Sequence, residues 1–141
     1  MTEDEIARLG RAVLHDIADA VIYADRTGMI RFWNAGATRI FGFSAAEAVG
    51  QNLDIIIPER LRRRHWDGYH QMMKSSRSRY GADDVLAVPA QTKSGKALSI
   101  QFTVAAVRDE SGELPGIAAI LRDVTKTFLE LKRARGGTAS K

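Results

Sequence analysis

The stretch DAVIYADRTGMIRFWN, residues 19–34, decides how the chain folds. Val21–Ala24 and Ile30–Trp33 are runs of β-branched, aromatic and small apolar residues. Asp25-Arg26-Thr27-Gly28 lies between them, and residues of this kind form turns. Two such runs around so short a turn make an antiparallel hairpin. A hairpin this early fixes one edge of a sheet, and the remaining segments must supply the rest.

Beyond the hairpin, AGATRIFGFSAAEAVGQNLDIIIPER, residues 35–60, reads as short helical pieces punctuated by Gly42 and Gly50. Ser44 with Glu47 has the S-x-x-E pattern of a capping box. Pro58 opens a longer helix from its favoured first-turn position. From Val85 the texture changes. VLAVPAQTKSGKALSIQFTVAAVRDESGELPGIAAILRDVT, residues 85–125, reads as three strands, with turns at Lys93–Lys96 and Asp109–Gly112. Leu98, Ile100, Phe102 and Val104 alternate with Ser99, Gln101 and Thr103, so one face of that strand is buried. Thr125 is a candidate cap for a last helix carrying Val124, Phe128 and Leu131 on one side, ended by Gly136-Gly137 and a frayed tail.

Working back toward the N-terminus, Ile6, Leu9, Val13 and Ile17 step by three and four, the stripe of an amphipathic helix. His15 lies off that stripe and is expected in solvent. The stripe needs the sheet or a second copy of the chain to cover it. Helix, hairpin, short helices and then three strands, without β-α-β alternation, argue for an α+β fold with an antiparallel sheet. The expected boundaries are an N-terminal amphipathic helix over residues 1–18, the domain proper over 19–125, and a C-terminal helix and tail over 126–141. No internal repeat or low-complexity segment interrupts them.

The composition bounds the function. At 141 residues, 45% hydrophobic and 27% charged, the chain fits one domain with a substantial core. Its net charge of +4 is too mild to argue for nucleic acid. The absence of cysteine excludes disulfides, thiolate metal sites, cysteine nucleophiles and cofactors attached through sulfur. The acidic N-terminus lacks the layout of a signal peptide, and no apolar run approaches the roughly 20 residues of a membrane span. A soluble cytoplasmic protein is expected.

The helix after Pro58, RLRRRHWDGYHQMM at residues 60–73, holds the main chemistry candidates. His65 and His70 are five residues apart, about 140° around a helix, so they do not share a face for one metal ion. Arg60, Arg62, Arg63 and Arg64 follow so closely that they are expected to encircle the helix as a solvated collar, not to read DNA. No nucleophile elbow, phosphate loop, dinucleotide motif or paired carboxylates suggests a reaction, and an enzyme is not expected. Leu61, His65, Gly68 and Met72 fall at i, i+4, i+7 and i+11, so this stripe should face the core. His65 is then an inward histidine. It is either hydrogen-bonded to a backbone carbonyl or faces a bound group, for which Gly68 leaves room.

From about Asp16 to about Arg135 the sequence resembles the PAS domain family, also called S-box sensory domains. The resemblance rests on the hairpin, the asparagine that starts the next helix, G-F-S at residues 42–44 and E-A-V-G at 47–50. KSGKALSIQFTV at 93–104 and GIAAILRDVT at 116–125 add the family's turn, last strands and terminal D-V-T. It implies a five-stranded antiparallel sheet with helices on one face. It also implies a ligand cavity beneath the helix after Pro58 and a sensory or dimerising role in kinases, cyclases or transcription factors. No output domain follows the last helix here, which fits a stand-alone PAS protein or a truncated piece of a longer one. Photochemistry that uses a cysteine adduct to flavin is excluded, as is a thioester chromophore, and nothing points to non-covalent flavin.

In the rhizobial oxygen-sensor kinases of this family, a haem-binding histidine follows the helix-opening proline by seven residues. His65 has that spacing from Pro58 in PERLRRRH. The resemblance therefore implies haem b with His65 as the axial, metal-binding residue. Arg62 or Arg64 would meet a propionate, and Tyr69, Met72, Leu86, Phe102 and Val104 would line the pocket. Those sensors carry an arginine or methionine on the distal side, where this chain offers Leu86 or Asp84. The alternative is a cofactor-free module for protein–protein interaction and dimerisation, its pocket filled by Met72, Phe102 and their neighbours. A homodimer through Ile6, Leu9 and Val13 and a kinase or regulator partner are expected, with no membrane and no nucleic acid.

Overall fold

A computed structural model describes residues 1–75 and 86–139. The elements run α1 (Glu3–Asp16), β1 (Ala20–Asp25), β2 (Ile30–Trp33), α2 (Ala35–Phe41), α3 (Ala45–Ala48), a 3₁₀ helix (Leu53–Ile56), α4 (Glu59–Ser75), β3 (Leu86–Gln91), β4 (Ala97–Val107), β5 (Gly116–Asp123) and α5 (Thr125–Ala139). The strands form one five-stranded antiparallel sheet in the order β2-β1-β5-β4-β3. The α+β class and sheet expected from the sequence are both present. Val85 and Asp84 lie outside the described residues.

Local chemistry accounts for the boundaries. Asp25 builds the hairpin turn. Its carboxylate accepts from the Thr27 amide and hydroxyl, the Met29 amide and Arg31 Nε. Burial raises the Asp25 pKa, but these hydrogen bonds outweigh it and bring the group down to about 2. Asn34 caps α2 by accepting from the Ala37 amide, and Gly42 ends that helix in the left-handed conformation, which costs glycine little. Ser44 and Glu47 form the capping box of α3. Pro89 sits in β3, an edge strand, where its missing amide hydrogen costs no ladder bond inside the sheet.

The core lies on the sheet face that carries Ala20, Ile22, Leu98, Ile100 and Leu121. Trp33, Phe41, Ala48 and Ile56 from the connecting segments cover it. A second cluster continues along that face under α4: Ala24, Leu114 and Ile117 pack with Tyr69 and Met73. The alternation read in β4 holds, with Phe102 packed against the first cluster and Val104 against the second.

The structure departs from the sequence reading at both ends. His15, though exposed, packs edge-on against Phe32, with ring centroids 5.2 Å apart. α5 continues through Gly136-Gly137 to Ala139, since glycine lowers helix propensity without forbidding the helix. The stripe Ile6, Leu9 and Val13 is exposed, and the sheet does not cover it. No helix among the described residues is long and apolar enough to cross a membrane.

Candidate functional site

The residues singled out on α4 face outward and inward in a different phase from the one expected. Tyr69 and Met73 are the buried members, and Trp66 is half-buried against the same cluster. Leu61, His65, Gly68 and Met72 are only half-buried, so the inner face is rotated by roughly a quarter turn from the stripe they define. A hole in the hairpin sets this phase. Gly28 has φ +83°, and a Cβ placed there would lie 2.0 Å from the Trp66 ring. The indole occupies the seat that the missing side chain leaves, and its Nε1 donates to Asp54 at 2.6 Å.

The hairpin turn fastens the rest of α4. The Tyr69 hydroxyl donates to the Asp25 carbonyl. Burial, followed by the negative charge of Asp25, holds this phenol far above its ordinary pKa, so it stays protonated and donating. Arg26 donates through Nη1 to the Leu114 carbonyl at 2.6 Å and through Nη2 to the Met73 carbonyl at 2.9 Å. A guanidinium at the last turn of a helix also complements the negative end of its dipole. At the other end, Arg62 Nε donates to the Ile57 carbonyl at 3.0 Å.

His65 lies beside this arrangement. Its ring meets Trp66 edge-on at 4.7 Å and Tyr69 at 5.8 Å. Its Nδ1 atom is buried with no hydrogen-bond partner among the described residues. The backbone-bonded core histidine considered from the sequence is therefore not what is found at Nδ1. Burial depresses the His65 pKa, Asp54 opposes this, and His70 adds to it. The ring is thus held neutral, the form in which imidazole ligates a metal. His70 is exposed and stacks on Trp66, with ring centroids 5.9 Å apart.

The other candidates fall into place around it. Phe102 and Val104 stand on the inner face of β4, and Met72 borders the second cluster. Leu86 pairs with Phe102 across β3 and β4 by its backbone. Arg64 is exposed, and Arg62 is turned toward Ile57. The arginines do not encircle the helix evenly: Arg60, Arg63 and Arg64 are exposed while Arg62 is half-buried. Sequence reasoning placed Asp25, Arg26 and Gly28 in the hairpin turn without linking them to α4, and passed over Asp54 and Trp66. A usable signal was present: Trp66, Tyr69 and Met73 fall at i, i+3 and i+7, and the two aromatic rings outweigh Leu61 and Met72 in apolar area, so the aromatic residues pointed to the right face.

Comparison with known proteins agrees with the geometry. The PAS fold family model matches residues 8–124. The sensor protein FixL of Bradyrhizobium diazoefficiens is 31% identical over 116 residues, which are 82% of this chain and 22% of that protein. The chain thus spans about a fifth of that relative's length. Among solved structures, the PAS domain of a Colwellia psychrerythraea protein superposes with a TM-score of 0.74 at 20% identity, covering 87% of this chain and 99% of that one. An RNA-binding light-oxygen-voltage receptor superposes at 0.78 with 19% identity, covering 100% of this chain and 39% of that one. With the family model spanning all five strands and the helices α2 to α4, the chain belongs to the PAS family.

Proposed function

We propose that the chain is the sensory module of a cytoplasmic signalling system of the bacterial two-component kind, detecting a small ligand in the space between α4 and the sheet. In its sharpest form the ligand site is built on haem b, with His65 supplying one axial nitrogen. The observation that carries this reading is the buried, partnerless Nδ1 of a neutral histidine at the haem-sensor spacing from Pro58. The chemistry of the surroundings fits. Met72, Phe102 and Val104 offer apolar walls. Tyr69 lies beside the His65 ring. Arg64, exposed one residue before His65, or Arg62 would meet a carboxylate at the rim. When bound, haem would supply a gas- or redox-sensitive iron. The chain's residues would hold it, exclude water and pass a change in the sheet to α1 and α5. A kinase or transcription regulator is the proposed recipient, in keeping with the similarity to a sensor protein.

A second reading is favoured by one observation: Trp66, Tyr69, Met72 and Met73 already pack into the cluster under α4. A domain so filled would act as a cofactor-free interaction and dimerisation module. The absorption spectrum decides between the two. The protein expressed with haem supply is expected to show a Soret band that His65→Ala loses while its circular dichroism is retained. No band in either protein, both folded, overturns the haem reading and leaves the interaction module.

A further inference from the structure

We propose that the cleft between the end of α2 and the β3–β4 turn binds a small organic phosphate, its apolar body against Ile40 and its phosphate among Arg39, Lys93 and Lys96. The cleft is open-sided, has a volume of about 560 Å³, and is lined by residues 39–42 and by Thr92, Lys93, Ser94 and Lys96. None of these belongs to α4 or to the cluster beneath it, so the inference is independent of the ligand space proposed above. Local folding makes the cleft. Gly42 ends α2 at φ +87° and turns the chain away. The turn after β3 reaches back to that end, where the Lys93 amide donates to the Phe41 carbonyl at 2.8 Å. Ile40 is half-buried and packs on the main core, so the floor of the cleft is apolar and fixed.

The rim carries the charge. Arg39 comes from α2, and Lys93 and Lys96 come from a turn more than fifty residues later. Glu47 is the carboxylate on this rim, paired with the Lys93 ammonium. Less that carboxylate, the three cations leave two positive charges, which match a phosphomonoester's charge of about −1.5 to −2 at pH 7. Arg39 Nη2 reaches the Ile17 and Ala18 carbonyls only at 3.4 Å, long bonds that a phosphate oxygen can replace. The Thr92 and Ser94 hydroxyls lie 3.1 Å apart, and the Thr92 oxygen also accepts from the Lys96 amide. One hydroxyl proton of the pair is left to donate to an oxyanion. Carbonyls at a helix end would repel an anion, but those of Thr38 and Phe41 already accept from the Gly42 and Lys93 amides.

The test is nitrogen-15 NMR of the full chain titrated with phenyl phosphate. Saturable shifts are expected at the amides of residues 39–42 and 92–96, with a midpoint of about 1 mM. Inorganic phosphate, benzoate and benzyl alcohol, which each lack part of the match, should bind at least about tenfold more weakly. Lys96→Gln is expected to weaken phenyl phosphate binding by about fivefold. Glu47→Gln keeps a capping-box residue and removes the competing carboxylate, and should strengthen binding by about threefold. Lys132→Gln removes the same charge as Lys96→Gln from α5, outside the cleft, and should change nothing. Equal weakening in Lys96→Gln and Lys132→Gln, or shifts spread over the basic surface, would reduce the effect to net charge and overturn the proposal. So would the absence of saturable shifts, or binding of benzyl alcohol as tight as that of phenyl phosphate.

Discussion

Asn34 joins three elements through one carboxamide. Its Oδ1 accepts from the Val21 amide at 2.8 Å and the Ala37 amide at 2.9 Å. Its Nδ2 donates to the Leu14 carbonyl at 2.8 Å and the Asp19 carbonyl at 3.1 Å. The side chain is thus at once the cap of α2, a partner for the first strand and the clasp on the end of α1. It is buried, so truncation strands donors and acceptors away from water, and each stranded group costs its desolvation. Asn34→Ala is expected to destabilise the domain by about 3 kcal/mol, read as a lower urea midpoint with an unchanged slope. Asn34→Asp should not rescue it, because a carboxylate cannot donate to the Leu14 and Asp19 carbonyls. A loss below about 1 kcal/mol for the alanine variant would mean that water replaces the bonds. The sequence reading identified Asn34 only as the start of a helix. Its grip on Leu14 and Asp19 depends on where the chain returns in space, which no local pattern encodes.

At the scale of elements, the hairpin and the Ser44–Glu47 capping box were legible and the orientation of α4 was not. The hairpin turn and that capping box are made by residues within a few positions of one another, so their chemistry can be read in order. The rotation of α4 depends on Gly28, far away in sequence. Two helical faces were available, and the empty seat over the turn selects the one with Trp66. His65 was read as an inward histidine and its Nδ1 is buried, although the stripe used to place it is only half-buried. Gly28→Ala tests this account. The new methyl would collide with the indole, and φ +83° is strained for any residue with a Cβ. The expected cost is about 2–4 kcal/mol, combining the backbone penalty with overpacking. Trp66 should become more exposed and its fluorescence shift to longer wavelength, while Trp33, buried in the main core, should not change. Fluorescence identical to the parent protein would mean that the turn does not set the phase of α4.

For the whole molecule, the arrangement of the two terminal helices carries the argument. Ala20 at the start of β1 pairs with Leu121 near the end of β5, so α1 enters and α5 leaves at the same end of neighbouring strands. Arg122 spans that junction with bonds of 3.0 and 2.9 Å to the two carboxylate oxygens of Asp19. Movement in the central strands would therefore reach both helices together. Both also carry exposed apolar surface: Ile6, Leu9 and Val13 are 55%, 52% and 45% exposed, and Phe128 and Leu131 are 50% and 54% exposed. The sequence showed the α1 stripe but not what would meet it, because a stripe records only the need for a partner. A second copy of the chain would satisfy that need symmetrically, and covering each large side chain would contribute about 1.5–3 kcal/mol. The proposed homodimer should sediment at about twice 15.5 kDa. Leu9→Asp should sediment as a monomer at the same concentration. Its thermal midpoint should stay within a few degrees of a parent sample diluted to monomer, since Leu9 is exposed in one chain. A parent protein that remains monomeric at high concentration would assign the stripe to a different partner and remove α1 from the dimer contact.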